Sequence, residues 1–163
     1  MGAKSEQLQI RVTPREKVAL KRRARRAGQD VSVYVLARLL PAARLRFGEL
    51  LRALGDERER RFALAELNDL LTGLAPVELR DAVAEADLRE LSPYLRNYVA
   101  AMVEQAAHQK RVAPPAWVNG VEPLEEPRFG APLSSLRLHL LRAAPVPFVR
   151  RNIFVDSAVG DRV

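Results

Sequence analysis

Lys17, Lys21, Arg22, Arg25 and Arg26 crowd the stretch from residue 17 to residue 26 of this 163-residue chain. Side chains of that kind, at that density, perform charge–charge contact with a polyanion. The usual instruments of catalysis are thin beside them. The two histidines, His108 and His139, are separated by proline-rich sequence, and each reads as an ordinary helix-surface residue. There is no Cys, which excludes disulfides and thiolate metal sites. Ser134-Ser135 has no neighbouring Lys pattern and reads as helix-start chemistry, and Gly120 and Gly130 sit in turns with no phosphate-loop context. Glu78, Asp81, Glu85, Asp87 and Glu90 fall on several helix faces without an ordered ligand pattern. The expectation is a binding protein with no catalytic residue, no metal and no cofactor.

The net charge of +7 is unevenly spread. Residues 1–46 hold 12 Lys/Arg against 3 Asp/Glu, residues 47–109 hold 7 against 12, and residues 110–163 hold 8 against 5. A basic head on an acidic middle points to a polyanion partner for the head. No apolar run approaches the roughly 20 residues of a membrane span, and the first residues lack a signal peptide's apolar core. A cytoplasmic protein is expected.

These cations need elements to position them, and the flanking residues supply the signals. Gln7 to Val12 alternates, so Leu8, Ile10 and Val12 share an apolar face and Gln7, Gln9 and Arg11 a polar one. Thr13, Pro14 and Glu16 make a capping box with a proline at the first helical position, predicting a helix from Pro14 to Ala27. Leu20, Ala24 and Ala27 form its narrow apolar stripe, and Gly28 is the expected left-handed terminator. Ser32 is the expected cap of a second helix over 33–40, before Pro41. A lone six-residue strand cannot satisfy its backbone groups or cover its apolar face, and no second convincing strand follows nearby. The simplest partner is the same strand of another copy.

Strand, helix, glycine turn and helix, basic overall, resemble a ribbon-helix-helix DNA-binding domain over about residues 4–41. The resemblance implies a homodimer whose two strands form an antiparallel ribbon in the major groove of operator DNA. It implies base contacts from Gln7, Gln9 and Arg11, and phosphate contacts from Lys4, Lys21, Ser32 and Val33. Arg can bond guanine bidentately and Gln adenine, each good pair contributing about 1–3 kcal/mol of discrimination. The free amides of Val33 and Tyr34 would help hold a phosphate at a helix N-terminus. In this family the turn often reads Gly-x-Ser-x-Ser; Asp30 departs from it, and its charge weakens the expected anchor.

Residues 42–111 read as a helical region. Leu45, Leu50, Leu51 and Leu54 lead to Gly55; a second segment runs over 57–71, a third from Pro76 to Leu91, and a fourth begins at Ser92-Pro93. Leu95, Tyr98, Val99, Met102 and Val103 stripe the fourth as a packing face. Residues 112–163 hold seven of the eleven prolines, so this part is expected to be extended, with a short helix over 133–142. It also holds the only Trp, which suggests a tail that orders on a partner, anchored by Trp117, Phe129, Phe148, Arg151 and Phe154; the alternative is a tail that folds back over the helical middle of its own chain. The fold class is thus mainly α: a module over 1–41, a helical region over 42–111 and a tail over 112–163. By resemblance the protein is an antitoxin of a bacterial type II toxin–antitoxin pair, its tail covering a protein toxin. The alternatives are a stand-alone repressor with a regulatory or oligomerisation region, which a small-molecule pocket in the helical middle would favour, and an adaptor whose basic head binds RNA or an acidic protein.

Overall fold

Thr13 and Glu16 close on each other at the start of the first helix, α1 (Pro14–Arg26). The computed structural model describes residues 9–26, 28, 30–32, 34–35, 42–130 and 134–156. The chain divides into two compact units, Met1–Leu40 and Pro41–Val163.

The second unit is built around one helix. Its elements are α2 (Ala42–Ala53), α3 (Arg60–Gly73), α4 (Pro76–Ala82) and α5 (Pro93–Gln109). A 3-10 turn (Ala116–Gly120), β1 (Arg128–Phe129), a second 3-10 turn (Ser134–Leu136), α6 (Arg137–Ala143), α7 (Val146–Val149) and β2 (Ile153–Phe154) follow. Ser92 Oγ accepts the Leu95 amide and Pro93 occupies the first turn, so α5 starts where its cap dictates. Leu95, Val99, Met102 and Val103 are buried, and so are Ala100, Ala101, Ala106 and Ala107 on the other faces. A helix with buried residues on every side has to be enclosed, and its alanines let neighbours approach closely. It packs against α3, α4, the first 3-10 turn and α7, while α2 lies on α3 and α4. Phe47, Leu54, Leu67, Leu71, Leu79 and Val83 fill the space between.

Two helices differ from the sequence expectation at their ends. The one expected to reach Leu91 stops at Ala82. The Val83 carbonyl accepts the Trp117 Nε1–H at 2.8 Å, and Arg96 donates to the carbonyls of Leu91 and Arg89, each at 2.8 Å, holding the connector out of helical form. The one expected from residue 57 begins at Arg60, because Leu54 to Glu59 turns, with Asp56 Oδ1 accepting the Arg58 amide and Arg60 Nε donating to Leu54 O.

The larger correction is the tail. Residues 112–130 and 134–156 close over α5 instead of standing free, so the expected division at residue 111 cuts through a single core. All five expected partner anchors are engaged within their own chain. Trp117 is half-buried on the Val83 carbonyl, Phe148 is buried edge-on to Tyr98 at 5.3 Å, and Phe129 stacks on Phe154 at 5.0 Å. β1 and β2 pair in parallel, Arg128 opposite Ile153 and Phe129 opposite Phe154. Gly130 lets the chain pass close to Val155: a Cβ there would stand 3.0 Å from Val155 Cγ1, which would have to give by a few tenths of an ångström. Arg151 is buried on Glu104, Nη2 to Oε2 at 3.2 Å, with side chains 7% exposed on both partners. The same guanidinium donates to Val118 O and Val121 O, and exposed Arg150 takes Glu104 Oε1 at 3.0 Å. The prolines misled because they bound short turns and helices here. The expected helix over 133–142 is a 3-10 turn leading into α6.

Replacing Arg151 with Met should leave the buried Glu104 carboxylate with exposed Arg150 alone and take its donor from the carbonyls of Val118 and Val121, destabilising the second unit by about 3 kcal/mol, whereas the double change Glu104→Leu/Arg151→Met should recover part of that loss. Denaturant unfolding of the full chain measures both, and strictly additive losses would show that the pair is not the link. Burial, with Tyr94 beside it adding a little, pushes the Tyr98 phenol up to about 12. The native state therefore holds this proton more tightly than the unfolded chain, whose phenol titrates near 10. The contribution is whole below about pH 10 and is lost as pH rises toward about 12. Tyr98→Phe should remove that part of the alkaline loss in unfolding measured across the same window.

Candidate nucleic-acid interface

The first unit is set by its caps. The Thr13 amide donates to Glu16 Oε2 at 2.8 Å and the Glu16 amide to Thr13 Oγ1 at 3.4 Å. The Thr13 amide, and then its hydroxyl, hold the Glu16 carboxyl below its ordinary value. Gly28 ends α1 at φ +64°, its amide returning to Arg25 O at 3.2 Å. The second helix starts earlier than expected. Val31, Ser32, Tyr34 and Val35 are helical, and the cap is Asp30, whose Oδ1 accepts the Ser32 amide at 2.8 Å. Ser32 is therefore a first-turn residue and not the cap. The Tyr34 amide, expected to be free for phosphate, donates to Asp30 O at 2.8 Å. A carboxylate here takes the part of the hydroxyl expected at the cap.

The side chains ahead of α1 are open. Gln9 and Arg11 are exposed, and Ile10 and Val12 are 58% and 42% exposed. The described residues from 9 to 13 form no ladder; β1 with β2 is the only strand pair among the described residues. Gln7, Lys4 and Val33, expected base and phosphate contacts, lie outside the described residues. On α1, Ala24 is buried and Leu20 half-buried, as their stripe requires, while Lys17, Lys21, Arg22, Arg25 and Arg26 are exposed. None of these cations forms an ion pair among the described residues. The second unit behaves differently: Arg46 pairs with Glu49 and Glu66, Arg44 with Glu85, and Arg89 holds the Asp87 carboxyl down to about 2.

The second unit also carries a groove, with a volume of about 1350 Å³, that sequence reasoning missed. Phe47 and Leu51 of α2 and Trp117 wall it, with Arg44, Glu85 and Glu122 at its rim. Its walls come from three separate stretches of chain, which is why no local motif announces it. Asn97, also lining it, is buried and donates to Pro93 O and Glu122 O, leaving Oδ1 without a partner. Among the described residues there is no group of three or more His, Asp or Glu placed to hold a metal ion, and no helix long and apolar enough to cross a membrane.

A family model described as NikA-like, mobilization protein NikA, matches residues 3–75. That span takes in the first unit together with α2 and α3 and ends just before α4. No curated protein matches the chain, and no solved structure matches it.

Among the described residues nothing lies within 4 Å of where a Cβ on Gly28 would sit, so Gly28→Ala meets no clash with them and isolates the backbone term. The left-handed conformation should cost about 1–2 kcal/mol for alanine and less for asparagine. Thermal unfolding of the two variants gives the order.

Proposed function

We propose that this protein binds duplex DNA as a homodimer, in the service of DNA mobilization. Two copies pair their leading strands into a ribbon, and Gln7, Gln9 and Arg11 meet base edges in the major groove. The observation that carries this reading is the pair Ile10 and Val12, left open with no ladder, directly ahead of a helix whose cations have no ion pair among the described residues. A two-stranded ribbon answers both features, since strand pairing uses the backbone and covers one face while the other enters the groove. The likeness of residues 3–75 to a mobilization protein's family supports work on DNA.

The antitoxin role loses its footing. It rested on a tail free to wrap a toxin, and the residues meant to grip that toxin have partners within their own chain, Trp117 on Val83, Phe148 on Tyr98, Phe129 on Phe154 and Arg151 on Glu104. One observation favours a second reading, a ligand-responsive DNA-binding regulator: the groove walled by Phe47, Leu51 and Trp117 lies in the helical middle, where a repressor's effector would bind.

Selection of duplexes from a random pool, followed by titration, tests the base contacts. Arg11→Ala should lower affinity for the selected sequence by about 10-fold or more and leave a scrambled duplex unaffected. Equal affinity of the unaltered protein for selected and scrambled duplexes would remove base reading. A chain that stays monomeric at high concentration would remove the ribbon itself.

A further inference from the structure

α1 has two faces. At about 100° per residue, Leu20 and Ala24 fall on one side, while Arg15, Val18, Lys21, Arg22, Arg25 and Arg26 fall within about 140° of arc on the other. The second set is exposed throughout, Val18 to 67%. From Arg15 to Arg26 it runs for about 17 Å along the helix, at about 1.5 Å per residue. Val18 is its apolar floor: with Lys21, Arg22, Arg25 and Arg26 it lines a shallow concavity of about 350 Å³.

Solvated cations commonly find an acid on their own or a neighbouring element, as Arg44 of α2 finds Glu85 and Arg46 finds Glu49 of α2 and Glu66 of α3. Those on this face of α1 find none among the described residues. The acids among the described residues of the first unit are Glu16 and Asp30, and both are used as caps, on Thr13 and Ser32. The last turn of a helix welcomes cations, which accounts for Arg25 and Arg26. It does not account for Lys21 and Arg22, which sit in the middle and repel the cations three and four positions on.

We infer that the phosphate contact expected of Lys21 extends over this whole face of α1, which holds the phosphodiester backbone of duplex DNA without regard to sequence. Rows of cations one helical turn apart meet phosphate oxygens, and Val18 meets the apolar edge of the sugars between them. Phosphates are the same at every step, so this surface supplies affinity and salt dependence but no base preference. The inference rests on the DNA-binding reading above and assigns to α1 a part separate from that of Gln9 and Arg11.

The test compares the full-length chain with Lys21→Gln/Arg22→Gln/Arg25→Gln on selected and scrambled duplexes over a range of salt. The triple variant should lose affinity by the same factor, about 10-fold or more, on both duplexes. Its log–log salt slope should flatten by about 0.9 for each phosphate no longer neutralised. Because Gln is a good helix former and like-charge repulsion is relieved, its melting temperature should not fall. Arg11→Ala should do the reverse, changing preference and leaving affinity for scrambled DNA nearly unchanged. A triple variant with unchanged affinity and slope, a loss confined to the selected sequence, or a clear drop in melting temperature would overturn the inference while leaving the DNA-binding reading in place. An unaltered protein that binds no duplex would take both down.

Discussion

The second unit depends on one buried ion pair. Glu104 lies in α5, and Arg151 reaches it from the end of the chain. The guanidinium also takes the carbonyls of Val118 and Val121, so one side chain fixes the central helix, the 3-10 turn after Pro115 and the segment leading into β2. Removing two charges from water offsets most of their mutual attraction. The pair thus contributes more to orientation than to net stability: the surrounding apolar burial sets how strongly the tail adheres, and Arg151 sets where. Once it is seated, Ile153 and Val155 fall into the core and Phe154 reaches Phe129.

The first unit is organised in the opposite way. Its helices are closed by local caps that take up Glu16 and Asp30, and no other acid among its described residues remains to neutralise the cations of α1. Its leading described residues keep their apolar side chains open and form no ladder. In the proposed function a second copy pairs with these leading residues and a phosphate backbone meets the helix.

The family likeness follows a different boundary from the division into units. It covers residues 3–75 and so passes from the first unit into α2 and α3, but omits α4, α5 and all that closes over them. The helical pair α2 and α3 cannot bury Phe47, Leu54, Leu67 and Leu71 between themselves alone, and here they do so against α4 and α5. The groove beside α2 is a product of that addition, since Trp117 and the connector after Val83 come from outside the matched span.

Features decided within about four residues could be read directly from the chain. The capping box of Thr13 and Glu16, the left-handed stop at Gly28 and the start of α5 at Ser92-Pro93 all have the form their residues dictate, because each is a hydrogen bond or a steric limit between near neighbours. The cationic face of α1 and the packing stripe of α5 follow from helical spacing in the same way. What no local reading could supply was settled by groups distant in sequence. α4 ends at Ala82 in company with an indole 34 residues from Val83. The fate of the tail turned on whether its aromatic and arginine side chains would find partners in their own chain. The same composition suits wrapping a partner and covering a core; here Val118, Phe148, Ile153 and Val155 are buried in their own chain's core, and the carboxylate of Glu104, buried on α5 and facing Arg151, fixes where the tail lies.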